Sequence, residues 1–106
     1  MSTLMDPEEL AKILVGIIGN RVKLEIIRFI VREIGYSRLA RLAGTKPGSI
    51  ATSLGRGSIG DDLCFRIFKG LIIYKPYMLR CALEHVVGRY EKLLRNVIEK
   101  IRERER

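Results

Sequence analysis

The chain has no Trp and no Gln, and it has only two cysteines and one histidine among its 106 residues. Aromatic residues make up 7%, so a hydrophobic core has to be built mainly from Ile, Leu and Val. No apolar run approaches the roughly 18–20 residues of a membrane span. The first residues contain neither a basic segment nor the apolar stretch of a signal peptide. We therefore expect a soluble, cytoplasmic protein with no membrane partner. The scarcity of amides beside many charged residues is typical of a thermophile.

The residues that usually carry catalysis or bind metals are sparse and poorly spaced. Cys64 and Cys81 do not form a Cys-x-x-Cys motif, and His85 does not complete a zinc site with them at any usual spacing. Core packing is favoured for both cysteines, with a disulfide between them as the alternative. The glycine-rich segment 55–60 matches neither a P-loop nor a dinucleotide fingerprint. We expect no cofactor, no metal and no enzymatic activity.

Positive charge is what the chain has in excess. It carries 20 basic and 12 acidic residues, for a net charge of +8. The excess is uneven: the first 19 residues are net acidic, whereas residues 37–60 contain four basic residues and no acid. The C-terminal third alternates in sign, as the solvated face of a long helix does. A basic, acid-free stretch of this kind favours nucleic acid as the partner.

The spacing of apolar residues predicts an all-α protein, with a domain of four to five helices followed by a long C-terminal helix. Asp6 and Pro7 form a helix start, and Gly19 with Asn20 breaks that first helix. Gly35 ends the second, Ser37 and Thr45 are predicted to cap the next two, and Gly44 separates them. The predicted helices begin near residues 7, 21, 38, 47, 61 and 76.

Residues 65–75 allow two interpretations. The spacing of Leu63, Ile67, Phe68 and Leu71 favours a helix. The alternative is a short β-hairpin turning at Lys69-Gly70, which would form a wing. In either case the β-branched segment 72–75 is expected to be extended before Pro76.

From Pro76 to the end the chain predicts one helix of roughly 25–30 residues. A helix this long extends past a small domain, so its apolar face needs a partner. We expect a homodimer through this helix, with a fold-back across the N-terminal helices of the same chain as the alternative. The predicted interface residues are Leu79, Leu83, Val86, Tyr90, Leu93 and Val97.

Two short helices joined by a glycine turn predict a helix-turn-helix motif. Ala40 is small where the helices cross, Gly44 permits a tight turn with positive φ, and Ile50 points back into the core. This pattern resembles the helix-turn-helix of the Cro and phage-repressor-like family and of archaeal regulators built on it. The resemblance covers about 35 residues, from Tyr36 to Leu71. A winged-helix arrangement, with 72–75 as the wing strand, is the alternative.

The resemblance implies that residues 47–54 are the recognition helix. A departure is that the glycine ending this helix comes one residue early, at Gly55, or late, at Gly57. The implied DNA-binding residues are Arg38, Arg41, Lys46, Gly48, Ser49, Thr52, Ser53 and Arg56. The helix has no Asn, Gln or Arg positioned to read a base with two hydrogen bonds, so shape readout is expected to dominate.

The sequence therefore predicts a DNA-binding domain over residues 1–75 and a dimerisation helix over 76–106. The expected function is binding of double-stranded DNA, as a transcription regulator or a nucleoid-type protein. The alternative is a helical adaptor that binds another protein through its C-terminal apolar stripe. Single-stranded nucleic acid is disfavoured by the low aromatic content.

Overall fold

The computed structural model describes residues 5–105, and all of its regular structure is helical. The five helices are α1 (Pro7–Ile17), α2 (Asn20–Ala43), α3 (Pro47–Arg56), α4 (Asp61–Tyr74) and α5 (Pro76–Arg104). No strand occurs within the described residues, so the all-α prediction is confirmed. The hairpin alternative for 65–75 is wrong, as is the extended conformation expected for 72–75, because α4 continues to Tyr74.

The helix boundaries follow local backbone chemistry. The Glu8 amide donates to Asp6 Oδ1 at 3.0 Å, and Pro7 occupies the first helical position, as predicted. Inside α2, Gly35 has φ 82° and ψ 166°, a conformation essentially restricted to glycine. It divides α2 into residues 20–34 and 36–43, so the predicted break is confirmed. The cap predicted at Thr45 is wrong: Lys46 holds the cap position of α3 and makes no side-chain cap.

Helix α4 lies at the centre of the protein and packs against α1, α2 and α5. Its inward face places Cys64, Ile67, Phe68 and Leu71 out of contact with solvent. Facing side chains come chiefly from α2, whose Ile26, Ile27 and Ile30 are equally buried. The core is therefore aliphatic apart from Phe68, as the composition predicts.

Helix α5 has 29 residues, in agreement with the predicted length. Its first turns belong to the common core, since Leu79, Ala82 and Val86 are buried there. The Tyr90 hydroxyl donates to Glu25 Oε1 at 3.1 Å and marks the last contact with α2. Every residue from 91 to 104 is exposed, and at 1.5 Å per residue this segment extends about 21 Å beyond the core.

Candidate nucleic-acid interface

The turn between residues 36–43 and α3 depends on Gly44. Gly44 has φ 67° and ψ 38°, a left-handed conformation that is unfavourable for any residue with a Cβ atom. The Thr45 amide donates to the Ala40 carbonyl at 2.9 Å, and the Gly44 amide to the Arg41 carbonyl at 3.4 Å. This is a Schellman motif, in which backbone amides just after the helix donate hydrogen bonds to its last carbonyls. The glycine turn thereby fixes the direction in which α3 leaves.

Helix α3 has one buried and one exposed face. Ile50 is fully buried and Leu54 is 8% exposed, and both pack towards α2. On the opposite side Gly48, Ser49 and Thr52 are exposed. The helix ends at a second Schellman motif, in which Gly57 has φ 75° and the Ser58 amide donates to the Ser53 carbonyl at 3.2 Å. The later of the two candidate glycines, Gly57, therefore ends α3.

Six of the eight predicted DNA-binding residues line one shallow groove along α3. They are Lys46, Gly48, Ser49, Thr52, Ser53 and Arg56, and Leu63 of α4 completes the groove. Ser53 is only 4% exposed, because it lies three residues after Ile50 and so shares the inward face. Its hydroxyl is thus poorly placed to meet DNA, and we leave Ser53 out of the contact set proposed below.

The two remaining residues, Arg38 and Arg41, are exposed on residues 36–43. Arg41 does not line the α3 groove; it borders a different hollow, shared with Asp62 and Arg66 of α4. The structure thus brings Lys46 and Arg56 together beside α3 and sets Arg41 on an adjacent surface.

Cations without a carboxylate partner are concentrated in residues 20–60. Of the eight basic residues there, only Lys23 forms an ion pair within the described chain, with Asp61 at 3.1 Å. The seven others are Arg21, Arg28, Arg32, Arg38, Arg41, Lys46 and Arg56. Basic residues of α4 and α5 are often neutralised locally, as in Arg95–Glu91 at 2.8 Å and Arg102–Glu99 at 3.1 Å. Seven of the twelve unpaired basic residues within residues 5–105 therefore lie in residues 20–60.

Three polar side chains of α2, which the sequence did not predict, hold the end of α3, the loop after it and the start of α4. Asn20 donates from Nδ2 to the Gly57 carbonyl at 3.0 Å and accepts the Ile59 amide at 3.2 Å. Arg28 donates to the Leu54 carbonyl at 3.3 Å. Lys23, 7% exposed, pairs with Asp61 at the start of α4. These contacts span 26 to 39 residues, so no local pattern in the sequence could reveal them.

The predicted dimer residues divide into three groups by exposure. Leu79 and Val86 are 5% and 4% exposed, because the protein's own core takes them up, so they are not available to a second chain. Leu83 and Tyr90 are half-buried, and Leu93 and Val97 are exposed. The exposed apolar residues of α5 form what we call the α5 stripe: Val87, Leu93, Leu94, Val97, Ile98 and Ile101. The stripe includes four residues outside the predicted interface.

Cys64 and Cys81 are both free thiols, so the disulfide alternative is not formed. Cys64 packs in the core as predicted, and burial raises the pKa of its thiol to about 12, although the nearby Lys23 ammonium opposes the shift.

Within residues 5–105 we find no cluster of three or more His, Cys, Asp or Glu side chains able to hold a metal ion. None of the described helices combines the length and the apolar character that crossing a membrane requires.

No protein-family model, curated protein or solved structure matches this chain.

Proposed function

We propose that the protein binds double-stranded DNA by inserting α3 into the major groove. One observation carries this proposal: α3 has an exposed face of small and hydroxyl side chains, flanked by the unpaired cations Lys46 and Arg56. A helix with its side chains is about 10–12 Å wide, which matches the major groove. The small residues let the backbone approach the bases closely, and the cations are suited to phosphate oxygens.

The contacts divide by chemistry. Ser49 and Thr52 have hydroxyls that accept from or donate to base edges, and Gly48 removes the side chain at the point of approach. Lys46 and Arg56, with Arg38 and Arg41 from the preceding helix, bind phosphates. Between Gly48 and Leu54 no exposed side chain offers the two-pronged contact that selects a single base, and Arg56, at the last position of α3, is assigned to phosphate. Selectivity therefore rests mainly on DNA shape and on the spacing of paired half-sites.

We further propose that two chains associate through the α5 stripe. The stripe follows a heptad spacing in which Val87, Leu94 and Ile101 are seven residues apart, as in a helix pair. An apolar face this long is unfavourable in water, and a second copy is the simplest partner that presents an equal length of apolar helix. A two-fold dimer would present two α3 helices to half-sites about one helical turn apart. Such a dimer would act in the cytoplasm as a transcription regulator or nucleoid-type protein, without catalysis.

A gel-shift titration of duplex DNA tests the binding proposal. Lys46→Ala combined with Arg56→Ala should raise the dissociation constant at least tenfold at low salt. Two lost phosphate contacts per chain should also reduce the magnitude of the slope of log affinity against log salt by about 1.8 for each bound chain, or about 3.6 for the proposed dimer. The matched control, Arg95→Ala with Arg102→Ala, removes the same charge from the polar face of α5 and should bind as the wild type does.

The second candidate function is a protein adaptor, favoured by the α5 stripe itself. If the wild-type protein at micromolar concentration does not shift duplex DNA in low salt, the DNA-binding proposal is wrong and the adaptor function takes its place. If the α3 variant binds with an unchanged salt slope, DNA is bound elsewhere on the molecule.

A further inference from the structure

A second, larger groove borders α3 on the flank opposite Lys46 and Arg56. It lies between residues 20–36 of α2 and the first half of α5, with a volume of about 740 Å³. Ala51, Leu54 and Gly55 form its edge on α3, whereas Ser49, Thr52 and Arg56 lie on the edge facing the first groove. Helix α3 is therefore a ridge with a groove on each side.

The second groove is strongly basic. Its charged lining residues are Arg21, Arg28, Arg32, Arg89 and Glu25. The single acid is already neutralised: Glu25 pairs with Arg89 at 3.6 Å and accepts from the Tyr90 hydroxyl, and its side chain is only 17% exposed. Arg28 is engaged by the Leu54 carbonyl. This leaves the exposed guanidinium groups of Arg21 and Arg32, for which the described structure contains no carboxylate partner.

The two arginines lie on the flank of α3 opposite Lys46 and Arg56, where the second strand of a duplex would run. The major groove is about 12 Å wide and is bordered by the two phosphate strands. A helix that fills it has one strand along each flank. Lys46 and Arg56 stand on one flank of α3, and Arg21 and Arg32 stand across the second groove on the other. On that second flank the exposed residues of α3 are small, Ala51 and Gly55, and Leu54 is buried, so a phosphate strand is not held away from the arginines.

We propose that the groove between α2 and α5 is a second phosphate-binding site, in which Arg21 and Arg32 bind the DNA strand on the far side of α3. The proposal rests on the DNA-binding function proposed above, and it assigns contacts to residues outside the helix-turn-helix. It also gives Arg28 a positioning role, since its hydrogen bond to Leu54 fixes the end of α3 at the edge of this groove.

Salt dependence provides the first test. Arg21→Ala combined with Arg32→Ala should lower the magnitude of the slope of log affinity against log salt by about 1.8 for each bound chain, or about 3.6 for the proposed dimer. The wild-type unfolding midpoint should be retained, because both side chains are exposed and unpaired. Arg95→Ala with Arg102→Ala again serves as the charge-matched control. A slope equal to that of the wild type would overturn the proposal, provided that the wild type binds and the Lys46/Arg56 variant is impaired.

Ethylation interference, which identifies the phosphates needed for binding, provides the second test. The wild type should show interference on both strands of a half-site. The Arg21/Arg32 variant should lose the signal on one strand, and the Lys46/Arg56 variant should lose it on the other. Loss on the same strand in both variants would contradict a second strand in this groove.

Inorganic phosphate distinguishes a site for small anions from a site for DNA. Saturable phosphate binding that disappears in the Arg21/Arg32 variant, together with an unchanged DNA salt slope, would reassign the groove to a free anion. Failure of the wild type to bind duplex DNA would instead remove the proposed function together with this inference.

Discussion

At Gly70, α4 packs directly against the backbone of residues 36–43 of α2. A Cβ placed on Gly70 would overlap the backbone carbonyl of Leu42, which cannot move without displacing the helix that leads into the glycine turn. The residue is also fully enclosed among core residues of α4, next to Leu71. The absence of a side chain at Gly70 thus permits α4 to pack against residues 36–43, which lead into the turn at Gly44.

We expect Gly70→Ala to lower the free energy of unfolding by about 1–3 kcal/mol or more, because the added methyl forces two backbones apart. Gly88→Ala is the matched control: Gly88 is exposed within α5, has no neighbour within 4 Å of an added Cβ, and should gain about 0.5–1 kcal/mol from helix propensity. Urea unfolding measures both. Equal stability of the two variants would mean that α2 and α4 are not in contact at Gly70.

Asn20 connects the start of α2 to the loop after α3. Its side chain forms one hydrogen bond with the Gly57 carbonyl and another with the Ile59 amide. Neither backbone group has another described partner in that loop, and Ile59 is buried. Loss of the side chain would leave a buried amide without a hydrogen bond, which costs about 1–3 kcal/mol.

We therefore expect Asn20→Ala to destabilise the protein by that amount and to increase amide exchange in residues 57–60. Asn96→Ala provides the control, since Asn96 is the other asparagine of the chain and is exposed on α5. Its loss should leave both the unfolding midpoint and the exchange rates near those of the wild type. Hydrogen exchange followed by mass spectrometry reports on the loop directly.

The helices could be predicted because their ends are set locally. Asp6, Gly35 and Gly44 each determine a cap or a backbone conformation without distant partners. The conformation of 72–75 could not be predicted in the same way, since the β-branched Ile72 and Ile73 favour a strand locally. The packing of α4 against three other helices overrides that preference.

The candidate site was predictable only in part, for a related reason. Ile50 and Leu54 define the inward face of α3, so the outward face followed from helical periodicity, and the inward position of Ser53 follows from the same geometry. The roles of Asn20 and Arg28 and the second groove arise from segments that are distant in sequence. Only the tertiary fold brings these segments together.

At the scale of the whole molecule, the projecting end of α5 makes the protein elongated. Its radius of gyration is 15.9 Å, compared with about 13 Å for a compact chain of this length. The projection exposes the α5 stripe along a helix that has only polar and charged residues on its opposite side. This arrangement is typical of one half of a helical pair.

We expect Leu93→Asp combined with Val97→Asp to convert a dimer into a monomer, because two carboxylates would be buried in the proposed apolar interface. The control, Lys92→Ala with Asn96→Asp, changes the net charge by the same two units on the polar face of the same turns and should remain dimeric. Light scattering coupled to size-exclusion chromatography gives the mass. A wild-type protein that is monomeric at high micromolar concentration, or a dimer that survives both Asp substitutions, would contradict association through the stripe.

Because α5 is uninterrupted from the core to Arg104, it would set the relative orientation of the two DNA-binding surfaces in the proposed dimer. No glycine or proline follows Gly88, so the helix transmits rotation rigidly. Inserting one residue after Tyr90 would turn the outer segment by about 100° and advance it by about 1.5 Å. In the proposed dimer, such an insertion would rotate each α3 helix relative to the α3 helix of the second copy and so disturb their spacing on DNA. Seven inserted residues would nearly restore the relative orientation of the two α3 helices.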